Sequence, residues 1–177
     1  VGIIAHNLIL ENKIKPEQPI TDFLPKSYSQ KTIEKLESIT IEQLLHHRSG
    51  LPRDVKAGYK RVDGDPYLYD YTEEDFATEL KKAKIKKQGK VFQYSNFGYG
   101  LLAYLFENAT NQPYDELLSQ YITEPHKLEN TTLQLSHNQK DSLVTPYRKD
   151  DRAIETQPWR MGKMAPPSAV YSTTKDL

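Results

Sequence analysis

The stretch GYGLLAYLFENA, residues 98–109, is a run of Leu, Tyr and Phe at helical spacing, and a second helical pattern follows it closely. Tyr114, Leu117, Leu118, Tyr121 and Ile122 fall at i, i+3, i+4, i+7 and i+8, an amphipathic stripe with Pro125 as its expected stop. Two adjacent helices that each expose an apolar face must bury it against other elements. A mainly α fold is therefore predicted, with long loops and a few short strands, as a single domain over 1–177.

The remaining segments fit around this pair. Residues 3–11 form a helix with Ile3, Ile4 and Leu8 on one side, ended by Pro16 and Pro19. PITDFLP is a short extended or turn segment, and residues 31–37 a weak helical turn. In SITIEQLLHHRSGLP, Thr40 and Gln43 have capping-box spacing, Leu44 and Leu45 supply the buried face, and Gly50 with Pro52 is the stop signal. Residues 53–71 are polar and tyrosine-rich and read as one long surface loop. Thr72 caps EEDFATELKKAKIKK, whose three leading acids and five trailing lysines match the helix dipole at both ends. The lysine run reads as a solvated helix end before it reads as a polyanion site. Asn96 is the expected N-cap of the helix that follows. Residues 129–148 suggest short strands and turns, TQPWRMGKMAPPSAV a loop, and Ser172 or Thr173 the cap of a further helix.

Composition removes several function classes. Lys+Arg and Asp+Glu are 24 each, so the formal net charge is zero and the electrostatic footprint of a nucleic-acid binder is missing. Without cysteine there is no disulfide framework and no thiolate metal site. His46 and His47 are neighbours and point about 100° apart on a helix, so they do not share a metal. They, and His6, read as packing or surface residues. No metal or cofactor is implied. The longest apolar run, VGIIAHNLIL, is too short for a membrane span, which needs about 18 residues. Hydrophobic content is 37% and mean hydropathy −0.74, partly offset by twelve tyrosines and five phenylalanines.

Tyr94-Ser95-Asn96 stands just before the apolar helix. By spacing alone the triplet is a helix start. Four blocks elsewhere in the chain, in order, carry a resemblance that gives it another meaning. LILENKIKPEQPITDFLP is similar to L-V-E-E-G-K-L-x-L-D-D-P-V-x-x-Y-L-P. ITIEQLLHHRSGLP is close to I-T-I-x-x-L-L-x-H-T-S-G-L-P. FQYSNFGYGLLAYLFENATNQPYDELLSQYITEPHKLENTTL resembles F-x-Y-S-N-x-G-Y-x-L-L-G-x-I-I-E-x-x-T-G-x-x-Y-x-x-x-L-x-x-x-I-x-x-P-L-G-M-x-x-T, and YSTTKDL matches S-T-x-x-D-L. These patterns belong to the serine β-lactamase and penicillin-binding-protein superfamily, in the branch of class C β-lactamases, D,D-peptidases and related esterases. PHKLENT departs from P-L-G-M-x-x-T, and PPSAVYST from P-A-G-G-L-x-S-T.

The resemblance implies that the chain is the helical portion of a β-lactamase/transpeptidase-like α/β fold. The S-x-x-K motif would then precede Val1, its Lys by about three residues and its Ser by about six, and the K-T-G or H-x-G motif would follow Leu177. The nucleophile would lie outside the chain, and the fragment alone would be inactive. Tyr94 would be the catalytic tyrosine of the Y-x-N motif, and Asn96 would bind substrate. Substrates would be β-lactams, D-alanyl peptides, or small esters and amides, attacked by Ser to give an acyl-enzyme. A phenol has a pKa near 10, so ionising one at neutral pH takes roughly 4 kcal/mol, which nearby lysine ammonium groups can supply. Asn offers both a donor and an acceptor. The resemblance also suggests a location outside the cytosol. The competing reading is a non-catalytic binding or regulatory domain that keeps the fold.

Overall fold

The computed structural model describes residues 1–54, 70–147 and 154–177. Its helices are α1 (Gly2–Leu10), α2 (Gln30–Leu36), α3 (Ile41–Leu45), α4 (Glu73–Lys82), α5 (Asn96–Thr110), α6 (Tyr114–Leu118), α7 (Glu124–His126) and α8 (His137–Asp141). Short 3₁₀ turns lie at Ile20–Phe23 and Gly162–Met164. Strand pairing among the described residues is confined to three antiparallel bridges, Pro19 with Thr40, Thr132 with Tyr171 and Tyr147 with Glu155. The predicted fold class, mainly helical with few and short strands, is the one observed.

The centre is α5. Phe97, Leu101, Leu102, Tyr104, Leu105 and Phe106 are buried on it, so it is enclosed on nearly every side. A helix apolar around its whole circumference is stable only in that setting. The faces of α3, α6 and both 3₁₀ turns pack on it. Phe76 of α4 stacks on Tyr104 with ring centroids 5.1 Å apart, and Tyr71 meets Phe76 edge-on at 4.8 Å. Each such ring or Leu contributes about 1.5–3 kcal/mol by leaving water. Gly100 exists for closeness: a Cβ there would stand 2.1 Å from Met164 Sδ.

Several predicted boundaries shift for local reasons. The α1 helix stops at Asn12, whose left-handed φ of 56° ends it well before Pro16. Its end is tied to the 114–126 helix, because Tyr121 donates to Glu11 at 2.7 Å and Lys13 donates to Tyr121 at 3.2 Å. Asn96 is not the N-cap of α5. Ser95 is, accepting the Gly98 N–H at 2.8 Å, so Asn96 is the first helical residue. The Thr40 cap forms, but Gln43 turns its side-chain oxygen to Gln88 at 2.9 Å instead of closing the box. The Thr72 cap closes fully with Asp75.

Pro125 does not stop its helix. The backbone widens to a π turn over Ser119–Thr123, and Pro125, with no N–H to donate, follows it in α7. Lys127 at φ 55° ends that helix. Within 129–148 a helix forms, α8, because Ser136 and Gln139 make a capping box. Ser172 and Thr173 open a turn and not a helix. The predicted 53–71 loop falls mostly outside the described residues.

Candidate active site

The site is assembled by the chain that leaves α3. Its last turn closes with the Arg48 N–H on the Gln43 carbonyl at 2.7 Å and the His47 N–H on the Leu44 carbonyl at 3.1 Å. That pair of bonds is a Schellman motif, and it puts His47 in the left-handed position normally held by glycine, at φ 54°. His47, and not Gly50, therefore terminates α3. Gly50 is needed three residues later, at φ 75°, where a Cβ would come within 2.5 Å of the Lys86 carbonyl oxygen.

Residues 47–53 then run beside 86–97 and hold it through backbone bonds. Lys86 donates to Gly50 at 3.0 Å, Gly89 to Arg48 at 2.7 Å, Gln93 to His47 at 2.7 Å, and Phe97 to Arg53 at 3.1 Å. Ser95 Oγ donates to the Pro52 carbonyl at 2.6 Å, and its backbone N–H donates to His47 Nδ1 at 3.2 Å. The buried Ser95 thus acts structurally, capping α5 and fastening it to the 47–53 segment.

Tyr94 and Asn96 flank that anchor. Tyr94 is 47% exposed, with the His47 ring 4.7 Å from its own and the Arg53 guanidinium carbon 5.7 Å from its ring centroid. Asn96 is half-buried and donates through Nδ2 to Asp54 Oδ1 at 2.7 Å, while Asp54 also pairs with Arg53 at 3.4 Å. His47 stacks on Tyr99 at 4.6 Å and meets Phe92 edge-on at 5.5 Å. Burial among these rings holds its pKa below the ordinary histidine value. An Nδ1 that accepts a hydrogen bond carries no proton, so the ring is neutral with its hydrogen on Nε2. As expected of the pair, His46 lies at the surface, near Glu42.

Sequence reasoning singles out Tyr94 and Asn96 but passes over Arg53 and Asp54, and it reads His46 and His47 only as one packed and one surface residue, without saying which. A histidine directly after the last apolar residues of a short helix, with the next glycine too late to end it, is the available signal.

Other features are set apart from this cluster. A cavity of about 1510 Å³ is lined by Tyr104, Glu107, Tyr114, Trp159 and Lys163, among others, and neither Tyr94 nor Asn96 reaches it. The spacing S-x-x-K occurs once in the chain, at Ser172 and Lys175. There Ser172 Oγ lies 2.8 Å from Thr131 Oγ1, and Lys175 lies 3.8 Å from Glu129 at the surface, so the two are engaged elsewhere. Among the described residues no group of three His, Asp or Glu is placed to hold a metal ion, and no helix is long and apolar enough to cross a membrane.

The family model described as Beta-lactamase matches residues 1–177. The chain belongs to the Beta-lactamase family. Protein flp of Staphylococcus aureus (strain MRSA252) is 31% identical over 177 residues, covering 99% of this chain and 34% of that protein. The crystal structure of a beta-lactamase/D-alanine carboxypeptidase from Yersinia pestis, complexed with citrate, superposes with a TM-score of 0.76 at 29% identity, over 98% of this chain and 47% of that one. A class C beta-lactamase from Rhodobacter sphaeroides matches with a TM-score of 0.72 at 16% identity, over 98% of this chain and 45% of that one, which shows the shared fold. This Beta-lactamase family chain therefore spans about a third of the first of these relatives and under half of the other two.

The family is one of serine hydrolases, and its patterns carry glycine at several places where this chain does not, among them the ends of α5 and α7. The T-G pair is here Thr110-Asn111, and P-L-G-M is Pro125-His126-Lys127-Leu128. Asn111 and Lys127 both adopt φ 55°, the conformation for which glycine is the ordinary choice.

Proposed function

We propose that the whole protein containing this chain is a serine hydrolase acting through a Ser acyl-enzyme on β-lactams, D-alanyl peptides or small esters and amides. Tyr94 is its proton-transfer residue and Asn96 a substrate-binding residue. The Ser and Lys of the first motif and the Lys or His of the third are supplied by other parts of the protein. In acylation the Ser oxygen bonds to the substrate carbonyl carbon and its proton passes to the Tyr94 oxygen. As the acyl bond breaks, that proton goes to the leaving nitrogen or oxygen. Water then attacks the ester carbonyl and gives a proton to the Tyr94 oxygen; as the ester bond breaks that proton returns to the Ser oxygen and the acid is released.

The observation that supports this reading most directly is the setting of Tyr94. A half-exposed phenol stands at the start of a rigid, buried helix, with its peptide held on both sides and a guanidinium over its ring. Catalytic groups gain from such preorganisation on a fixed element. The name of the Yersinia pestis protein, a beta-lactamase/D-alanine carboxypeptidase, points to the first two of these substrate classes.

The test is Tyr94→Phe in the full-length protein, which keeps the ring and removes the oxygen. A general base is worth on the order of 10²–10⁴-fold, so kcat/KM for nitrocefin or p-nitrophenyl acetate should fall by that much with little change in Tm. A variant within about threefold of wild type removes Tyr94 from the mechanism. The competing reading, a binding domain without turnover, is separated by the coding sequence just upstream of Val1: an S-x-x-K there supports the enzyme, and its absence supports the binder.

A further inference from the structure

We propose that His47 is the positioning residue of Tyr94, acting through the backbone on both sides of it and through ring contact. The inference rests on the reading of Tyr94 as the proton-transfer residue.

Three observations converge on it. First, the peptide N–H groups of the two residues that flank Tyr94 both end on His47: Gln93 donates to its carbonyl at 2.7 Å and Ser95 to its Nδ1 at 3.2 Å. The rotation of the Tyr94 backbone is thereby clamped at both neighbours by one residue. Second, the imidazole stands 4.7 Å from the Tyr94 ring, and is itself held by Tyr99 and Phe92. Tyr99 in turn is fixed by donating its hydroxyl to the Leu45 carbonyl at 3.0 Å. Third, the position is one where a histidine costs stability. At φ 54° a glycine would relieve strain of about 1–2 kcal/mol. At His47 the ring contacts and the Nδ1 acceptor hold the side chain in that conformation, unlike at the exposed Lys127.

Only the neutral ring with its proton on Nε2 serves, because Nδ1 must accept. The charged and titratable groups packed around the ring are the phenols of Tyr94 and Tyr99, with Arg53 held over Tyr94 and paired to Asp54. Among the described residues no carboxylate forms an ion pair with the His47 ring, unlike that of His46, which sits 3.8 Å from Glu42.

The experiment compares His47→Gly with His47→Asn in the full-length protein. Both residues tolerate a positive φ, so both keep the end of α3. Asn retains an acceptor oxygen close to the Nδ1 position, and Gly does not. If the role is to position Tyr94, kcat should fall about ten- to a hundredfold in His47→Gly with KM nearly unchanged, since small misplacements of a reacting group cost up to about 10² in rate. His47→Asn should recover most of that loss. In a Tyr94→Phe background His47→Gly should have almost no further effect, because the group it positions is gone. A His47→Gly variant within about threefold of wild type, an Asn variant no better than Gly, or losses that multiply in the double variant would each overturn the proposal. A silent Tyr94→Phe sinks the parent reading and this one together, whereas an impaired Tyr94→Phe with a silent His47→Gly sinks this one alone. Should the protein turn over neither nitrocefin nor p-nitrophenyl acetate, the ¹⁵N spectrum of His47 decides. An unprotonated Nδ1 coupled to the Ser95 amide supports the arrangement, and an Nδ1–H tautomer overturns it.

Discussion

Ser95 and His47 show how one residue can fill two roles at once. Ser95 Oγ accepts the Gly98 N–H and donates to Pro52, so it caps α5 and pins it to the neighbouring segment. Ser95→Ala should lower stability by about 1–2 kcal/mol, the usual cost of losing an N-cap, and chemical denaturation measures it. A variant with an unchanged midpoint would show that the backbone bonds of 86–97 suffice. His47 makes stability depend on pH in a definite direction. Burial lowers its folded pKa below 6.5, so the unfolded chain takes up the proton first as pH falls. The contribution is therefore present above about pH 6.5 and is lost as pH falls through the lowered folded value. The denaturation midpoint should drop between about pH 7.5 and pH 5.5, and His47→Asn should drop less. Equal drops would assign the effect to other groups.

At the scale of elements, the ends of helices decide how the chain turns. Lys127 and Asn111 stop their helices in a conformation that suits glycine, and Lys127 is exposed, with no packing to lose. Lys127→Gly should raise stability by about 1 kcal/mol, read as a higher Tm. No gain would mean that the left-handed turn is relaxed in solution. Gly50 is the opposite case. Alanine there meets both a positive φ and the Lys86 carbonyl, so Gly50→Ala should cost at least about 1–3 kcal/mol and should loosen the 86–97 segment that carries Tyr94. A fully stable, fully active variant in the intact protein would detach that segment from the site's geometry. Between α5 and α6, the Glu107 carboxylate acts as a cap. It accepts the Tyr114 N–H at 2.9 Å and pairs with Lys163 at 2.7 Å, where Pro113 offers no side-chain acceptor.

For the whole molecule, the proposed division of the catalytic groups has a direct consequence. The 177-residue polypeptide by itself should turn over neither nitrocefin nor p-nitrophenyl acetate above buffer, and hydrolysis by the purified chain would place a nucleophile inside it. What the sequence determined alone is local: the apolar periods of α5 and of 114–122, the Thr72 cap, and the acids that open α4 and the two lysines, Lys81 and Lys82, that close it. Its motifs were enough to recognise the family and to single out Tyr94 and Asn96 as candidates. The tertiary structure decided what those candidates touch. Ser95 reaches Pro52 and His47, and Asn96 reaches Asp54, across separations of 42 to 48 residues. Such bonds form only after the core has brought distant segments together and the loop-closure entropy has been met, and no local pattern encodes them. The stop at His47 belongs to the same class. Sequence preference pointed to Gly50, but the carbonyls at the end of α3 closed on His47 and Arg48, and packing against Phe92, Tyr94 and Tyr99 holds the histidine in a backbone conformation it would not choose alone.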